Sequence, residues 1–361
     1  MNNTNDFLTE STLPKKIVKL ENATGGFDVA KFVLSVLVVA IHTTLYPNIL
    51  YPWLRLAVPL FFMISAYFLF GKIRKCTDEH ARLATMKKFT RRNLALYLFW
   101  FIVLIPFTLK IRYNTWKSNN FFLTCFYVLR SFFFDSTFVA SWFIMASVLG
   151  MWVVYFVSKK LGNKTLFCIT LCIHVLVCLR SSYFPLLSEH EWIVNASKLY
   201  EKFFSLPQFN LTVALFWIVS GKCFADGTFT FRFKTVYLWI GLVVSAALLY
   251  VEWLLVRKWT EKYNNDCYLF LAPVCIAVFA LLTKTNLSAS KWTVILRKTS
   301  TIVYALHASL AYLVITPFCR TLPNPPDCLS FLITLGICLA VSAAVLLLEK
   351  FRLLRWLKYA H

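Results

Sequence analysis

Asp28, Lys31, Ser35 and His42 share one apolar run, "FDVAKFVLSVLVVAIHTTLYP", at residues 27–47. At 100° per residue these four side chains fall within about 60° of one another on a helix. An ionisable group facing hydrocarbon costs about 3 kcal/mol or more, so a polar stripe of this kind faces a bundle interior or a hydrated cavity. An imidazole titrates near neutrality, which suits His42 to general-base work at a hydroxyl. A structural role, with the ring bonded to a neighbouring helix, is the alternative. Asp28 lies about 21 Å from His42 along the helix axis, too far to orient the ring as in a catalytic triad. Its i,i+3 spacing to Lys31 predicts instead a local ion pair that offsets the burial of both charges.

The elements that must position this stripe are also helices. Of the 361 residues, 59% are hydrophobic and 15% charged, against about 45–50% and 25% in soluble domains. Runs near span length fall at about 27–46, 52–70, 93–109, 137–157, 165–183, 209–225, 235–256, 267–282, 302–319 and 328–348. They are too long for barrel strands, so the expected fold is all-α: a polytopic membrane protein of about ten transmembrane helices. Residues 1–26 are polar, carry Lys15, Lys16 and Lys19, and lack the apolar core and cleavage site of a signal peptide. The expected organisation is a cytoplasmic segment at 1–26, one transmembrane domain at 27–348 and a basic cytoplasmic tail at 349–361.

A net charge of +22 does not mark a nucleic-acid binder here, because the basic residues lie between apolar runs. Placing both termini in the cytoplasm puts about twice as many Lys and Arg inside as outside, as the positive-inside rule requires. Tyr51, Trp53, Trp142, Trp192 and Tyr263 stand near run ends as interfacial anchors. The stretch "FFLTCFYVLRSFFF" reads as an amphipathic helix in the interface. The eleven cysteines are scattered and odd in number, which gives no disulfide framework. Cys168 and Cys172 share a helix face, but no His or carboxylate completes a metal set, and the cysteines read as packing residues.

The Asp28, Lys31, His42 spacing resembles the first transmembrane helix of the acyltransferase type 3 family, bacterial membrane O-acyltransferases that decorate envelope sugars. "RLAVPLFFMISAYFLF" resembles the family's second-helix stretch, with Ala66 and Tyr67 in place of Gly-Phe. "SWFIMASVLG" (Ser141 to Gly150) resembles its Trp-Phe-Leu helix start, and "STIVYALHASL" (Ser300 to Leu310) its late Tyr-x-x-His helix. Two departures stand out. Lys31 occupies a position where Arg is usual and lacks its bidentate fork. "KKFTRRNLALY" supplies Lys87, Lys88, Arg91 and Arg92 but no Arg-x-x-Arg, with Phe89 at the first position if Arg92 is the second.

The resemblance implies an acyl-CoA donor, often acetyl-CoA, bound from the cytoplasm with its pantetheine arm threaded between helices. Lys87, Lys88, Arg91 and Arg92, where a loop meets a helix start, are then expected to hold its phosphates, although positive-inside charge accounts for them equally well. Lys31 of the first span joins Lys88, Arg91 and Arg92 in the expected donor-binding set. His307, expected nearer the cytoplasm than His42, would help bind the donor. His42 would deprotonate the acceptor hydroxyl as it attacks the thioester, with Asp28 and Tyr304 in the catalytic set. Tyr304 and Ser65 would donate to the oxyanion, and Trp142 and Glu252 would face the acceptor. Glu252 otherwise snorkels at the interface, Asp135 caps the fourth span, and His174 is structural. The implied partners are acyl-CoA, an envelope glycan or glycolipid, and lipid of the cell membrane, with no metal and no nucleic acid.

A second reading comes from a different class. The same fold forms the membrane part of certain glycopeptide-resistance racemases, where it is associated with serine uptake. A small-molecule transporter would use His42 and Asp28 as a proton relay and need no coenzyme. A third reading is an inert structural partner of an envelope enzyme.

Overall fold

The computed structural model describes residues 24–43, 49–117, 120–230, 234–259, 266–323, 326 and 328–361. Nearly all of the segment expected at 1–26, and Tyr263, lie outside them. The described residues form helices, with no strand among them. In chain order these are α1 (Gly25–Thr43), α2 (Ala57–Arg74), α3 (Glu79–Val103), α4 (Ile105–Trp116), α5 (Phe121–Phe134), α6 (Trp142–Val157) and α7 (Asn163–Arg180). Then follow α8 (Glu191–Phe204), α9 (Leu211–Ala225), α10 (Thr235–Trp259), α11 (Leu271–Leu282), α12 (Lys291–Leu310) and α13 (Leu329–Leu348).

Among the described residues, six helical stretches are long and apolar enough to cross a membrane: α1, Tyr51–Arg74, α7, α10, Lys291–Cys319 and α13. The pair Glu191–Phe209 and Leu211–Ala225, bent by 41°, raises this to seven if it is one span. The expectation of ten is therefore revised. The apolar helices α6 and α11 are short. The run expected at 93–109 is divided at Leu104, where α4 opens with Pro106 near its start. Proline cannot continue the ladder of backbone bonds, and the N-terminal half of α3, "EHARLATMKKFTRR", is too charged for hydrocarbon.

The centre of the bundle is α9. Phe216 to Ala225 are all buried, as in a helix enclosed by others on every side. It packs against α2, α6 and α7. The crossing with α2 is close because position 221 is glycine: a Cβ there would lie 2.3 Å from the Met63 carbonyl oxygen. The one lysine of this helix, Lys222, is satisfied by Asn163 Oδ1 at 2.7 Å and Asp226 Oδ2 at 2.5 Å. Helices α10 and α13 turn apolar side chains outward, among them Val243 (65% exposed) and Leu332 (57% exposed), as lipid-facing helices do.

Helix α12 lies along α1, and α13 packs on α12. The chain end, a 3-10 helix at Arg352–Ala360, docks on α3, where Trp100 Nε1 donates to the Ala360 carbonyl at 3.0 Å. Glu349 ties this end to α12 through Lys298 at 2.8 Å and to His361 at 2.6 Å. Burial pushes the Glu349 carboxyl up, but Lys298 and His361 together hold it below its usual value. The tie is therefore present at neutral pH and weakens as the pH falls through that depressed value.

Replacing Gly221 should separate α9 from α2. Gly221→Ala should lower stability by about 1–3 kcal/mol through overpacking. Gly71→Ala, at a helical site where a Cβ meets nothing within 4 Å, should gain up to about 1 kcal/mol. Thermal unfolding of both in detergent checks this, and equal midpoints would remove the close crossing from the account.

Candidate active site

His42 stands one residue before the end of α1. Its Nδ1 lies 2.9 Å from the Tyr312 hydroxyl, and its ring centroid is 5.0 Å from that of His307. His307 comes from α12, and Tyr312 from the π-helical turn Ala311–Ile315 that follows it. On an ideal α-helix, positions 307 and 312 diverge by roughly 140°. Both nevertheless reach the same imidazole across this wide turn, a feature common at functional sites. Tyr312 was missed by motif reasoning; its one sequence signal is a tyrosine five residues beyond His307.

His307 is fully buried. Its Nδ1 sits 2.7 Å from the Tyr304 carbonyl and 3.1 Å from that of Val303. Two carbonyl acceptors fix Nδ1 as the protonated nitrogen of the ring. The lone pair is then on Nε2, which is buried without a hydrogen-bond partner among the described residues. The expectation of His307 at a different depth, among donor-binding groups, is corrected: it is level with His42. The parallel course of α1 and α12 is the reason.

Other expected site residues are engaged elsewhere. Tyr304 donates its hydroxyl to the carbonyl of Ala140, a non-glycine residue at φ 66°. A phenol has one O–H to donate, so Tyr304 holds the strained turn ahead of α6 and is not free to serve an oxyanion. Glu252 is 6% exposed. It accepts from the Tyr183 hydroxyl at 2.5 Å, Leu269 N–H at 2.6 Å and Phe270 N–H at 2.8 Å. With both oxygens occupied, it joins α10 to the start of α11 and does not reach out to an acceptor. Asp135 is not the cap of α6; it pairs with Arg112 at 3.2 Å and Arg130 at 3.8 Å. His174 is buried, its ring 4.8 Å from that of Phe216 and 4.9 Å from that of Trp217.

Ser65 is half-buried on α2, and its hydroxyl has no hydrogen-bond partner among the described residues. Trp142 opens α6, packs on Phe62 and Phe209, and lines a cavity of about 60 Å³. Arg55, Asp266 and Gln208 line the same cavity, and none of the three was expected from sequence.

The opposite end of α1 is cationic. Asp28 is buried, and Arg297 of α12 approaches its Oδ1 at 3.5 Å. The expected Asp28–Lys31 pair is replaced by this contact across helices. Lys31 instead has its Nζ 5.6 Å from the centre of the Phe68 ring. Arg297, Arg92 and Lys72 all lie within electrostatic reach of Lys31. Four cations against one carboxylate make an anion-attracting end. Lys87, Lys88, Arg91 and Arg92 are exposed and lie well inside α3, not at a helix start. That start is capped by Asp78, whose Oδ1 accepts from Ala81 N–H at 2.7 Å. Among the described residues no group of three or more His, Cys, Asp or Glu could hold a metal ion.

A family model described as an acyltransferase domain matches residues 24–346. An amino-acid racemase of Enterococcus faecalis is 24% identical over 283 residues, covering 73% of this chain and 38% of that protein. A second amino-acid racemase of the same organism is 22% identical over 271 residues, covering 71% of this chain and 35% of that protein. The chain thus spans little more than a third of the length of these curated relatives. No solved structure matches.

Glu252→Gln would set an amide N–H₂ or a weaker acceptor against three donors. It should lower stability by about 2 kcal/mol, read as a fall in the thermal midpoint in detergent. An unchanged midpoint would contradict the structural role assigned to this carboxylate.

Proposed function

Since the chain belongs to the acyltransferase type 3 family, we propose that it is a multi-pass membrane O-acyltransferase using His42 as general base. The donor is an acyl-CoA carrying a small acyl group such as acetyl, and the acceptor is a hydroxyl of an envelope polysaccharide or glycolipid. The observation that carries this reading is the division of α1 into two ends: cations around Asp28 and an imidazole pair around His42. A donor with its phosphates at the first end and its thioester at the second needs a linear arm of about 20 Å. The pantetheine arm of coenzyme A has that character. The cationic end is assigned to the cytoplasm by the positive-inside rule, and the membrane to the cell membrane.

In the step itself, Tyr312 accepts from Nδ1–H of His42 and leaves Nε2 as the base. The acceptor O–H passes its proton to Nε2 while its oxygen attacks the thioester carbonyl. The tetrahedral oxyanion collapses, the C–S bond breaks, and the thiolate leaves with the proton carried by His42. A second positive ring 5.0 Å away would oppose the imidazolium, so His307 stays neutral and positions its neighbour. Ser65 is the remaining hydroxyl candidate for the oxyanion, and Trp142 faces the acceptor.

A second reading is a small-molecule transporter with His42 and Asp28 in a proton relay. It is favoured by the two relatives named amino-acid racemases, and it needs no acyl-CoA.

The detergent-purified protein should bind coenzyme A, and His42→Ala should retain that binding and the fold while losing at least about 100-fold in acyl transfer. Tyr312→Phe should lose about tenfold, whereas Tyr304→Phe should stay within about threefold. Mass spectrometry of envelope glycans should show an acyl mass missing in cells without the protein. Normal acylation by His42→Ala, or proton-driven accumulation of an amino acid without acyl-CoA, would overturn the reading. Separately, Arg297→Ala and Arg92→Ala should raise KM for acyl-CoA about tenfold with little change in kcat; an unchanged KM would detach the cationic end from the donor.

A further inference from the structure

The cavity beside Trp142 adjoins the His42 end of α1, since Ile41 forms part of its wall. Its volume of about 60 Å³ is room for a few water molecules at about 10–15 Å³ each. A hydroxymethyl group or two adjacent hydroxyls fit within it.

The polar part of its wall is incompletely bonded. Arg55 Nη1 and Asp266 Oδ1 form an ion pair at 2.5 Å, with the side chains only 15% and 10% exposed. Arg55 also donates to the Tyr51 hydroxyl and stacks 4.4 Å above that ring. Four atoms are left over. Arg55 Nε, Asp266 Oδ2, Gln208 Oε1 and His174 Nδ1 are buried with no hydrogen-bond partner among the described residues, all on residues that line the cavity, and Gln208 as a whole is 5% exposed. Each such orphan is costly, and buried polar atoms of this kind are normally satisfied by a ligand or ordered water. Trp142, Phe209 and Trp217 make the rest of the wall apolar and flat.

The orphaned atoms define what fits. Arg55 and Asp266 cancel in charge, so the site offers no net attraction to an anion or to a cation. It presents the Nε–H donor, the acceptors Oδ2 and Oε1, and His174 Nδ1, which donates or accepts according to its tautomer. The complement is a neutral group that both donates and accepts, as hydroxyls do. Arg55 is also within electrostatic reach of His42 and Tyr312, so the cavity lies toward the His42 end of α1.

We propose that Arg55, Asp266 and Gln208 form the hydroxyl-reading end of the acceptor site, and that this cavity selects which alcohol-bearing unit is presented to His42. The assignment rests on the acyl-transfer reading. It adds to that reading three residues that determine acceptor specificity.

The test uses the full-length protein, acetyl-CoA as donor, and the envelope glycan fraction from cells lacking the protein as acceptor. Gln208→Leu and Asp266→Asn should each raise the apparent KM for the glycan fraction at least tenfold. Their KM for acetyl-CoA, and their slow hydrolysis of acetyl-CoA without acceptor, should stay within twofold of the parent. An unchanged acceptor KM in both variants, with the cavity holding water only, would overturn the proposal while leaving the donor and His42 chemistry intact. Inhibition of transfer by a mixture of neutral amino acids that Gln208→Leu abolishes would also overturn it, in favour of a zwitterion site. Loss of acetyl-CoA hydrolysis in His42→Ala is read in parallel, so failure of the underlying reaction is distinguishable from failure of this pocket. If Gln208→Leu does not fold, Gln208→Glu reads the same acceptor KM with the backbone and shape retained.

Discussion

The side-by-side packing of α1 and α12 fixes the position of nearly every polar group that acyl transfer would need. Both helices are predominantly apolar, yet Asp28 and His42 on one meet Arg297 and His307 on the other. In hydrocarbon a charge is tolerated only when it faces a counter-charge or a wet interior. The two helices run in the same direction, so the pairing of Asp28 with Arg297 at one end sets the register that brings His307 to His42 at the other. An imidazole pair and a cationic end then sit on one seam, separated by about 21 Å.

The same constraint sorts the buried polar residues into two kinds. Some are fully engaged: Glu252 with three donors, Lys222 with Asn163 and Asp226, and Tyr304 with the Ala140 carbonyl. These hold helices and turns together, and exchanging them for apolar groups would change the architecture. Others retain an unsatisfied atom, notably His307 Nε2, Gln208 Oε1 and Asp266 Oδ2. These three lie toward the His42 end, while Asp28 Oδ2 is unsatisfied at the other end of α1. Functional sites commonly break local rules in this way.

Two local distortions support the arrangement. The π-helical turn at Ala311–Ile315 lets Tyr312 and His307 address one ring, which a regular helix would not allow. Ala140 at φ 66° is an uncommon conformation for a residue with a side chain, and the Tyr304 hydroxyl holds its carbonyl in place. The second of these borders the segment that carries Trp142.

Composition and run length by themselves determined that the chain is helical and membrane-embedded, and the Asp28, Lys31, His42 stripe pointed to the family and to the helix that matters. These are properties of one helix at a time, set by hydropathy and a 3.6-residue period, and they survive without knowledge of neighbours. Which helices are long enough to span was less legible, because a break at Leu104 and the enclosure of α9 depend on what packs around them. The roles of individual polar residues were decided only in three dimensions. Arg297 displaced Lys31 as the partner of Asp28, Glu252 became a tie between helices, and Arg55, Asp266 and Gln208 converged from distant segments. A hydrogen bond between helices depends on their register and crossing angle, and a run of Leu, Val and Phe fits many registers equally well.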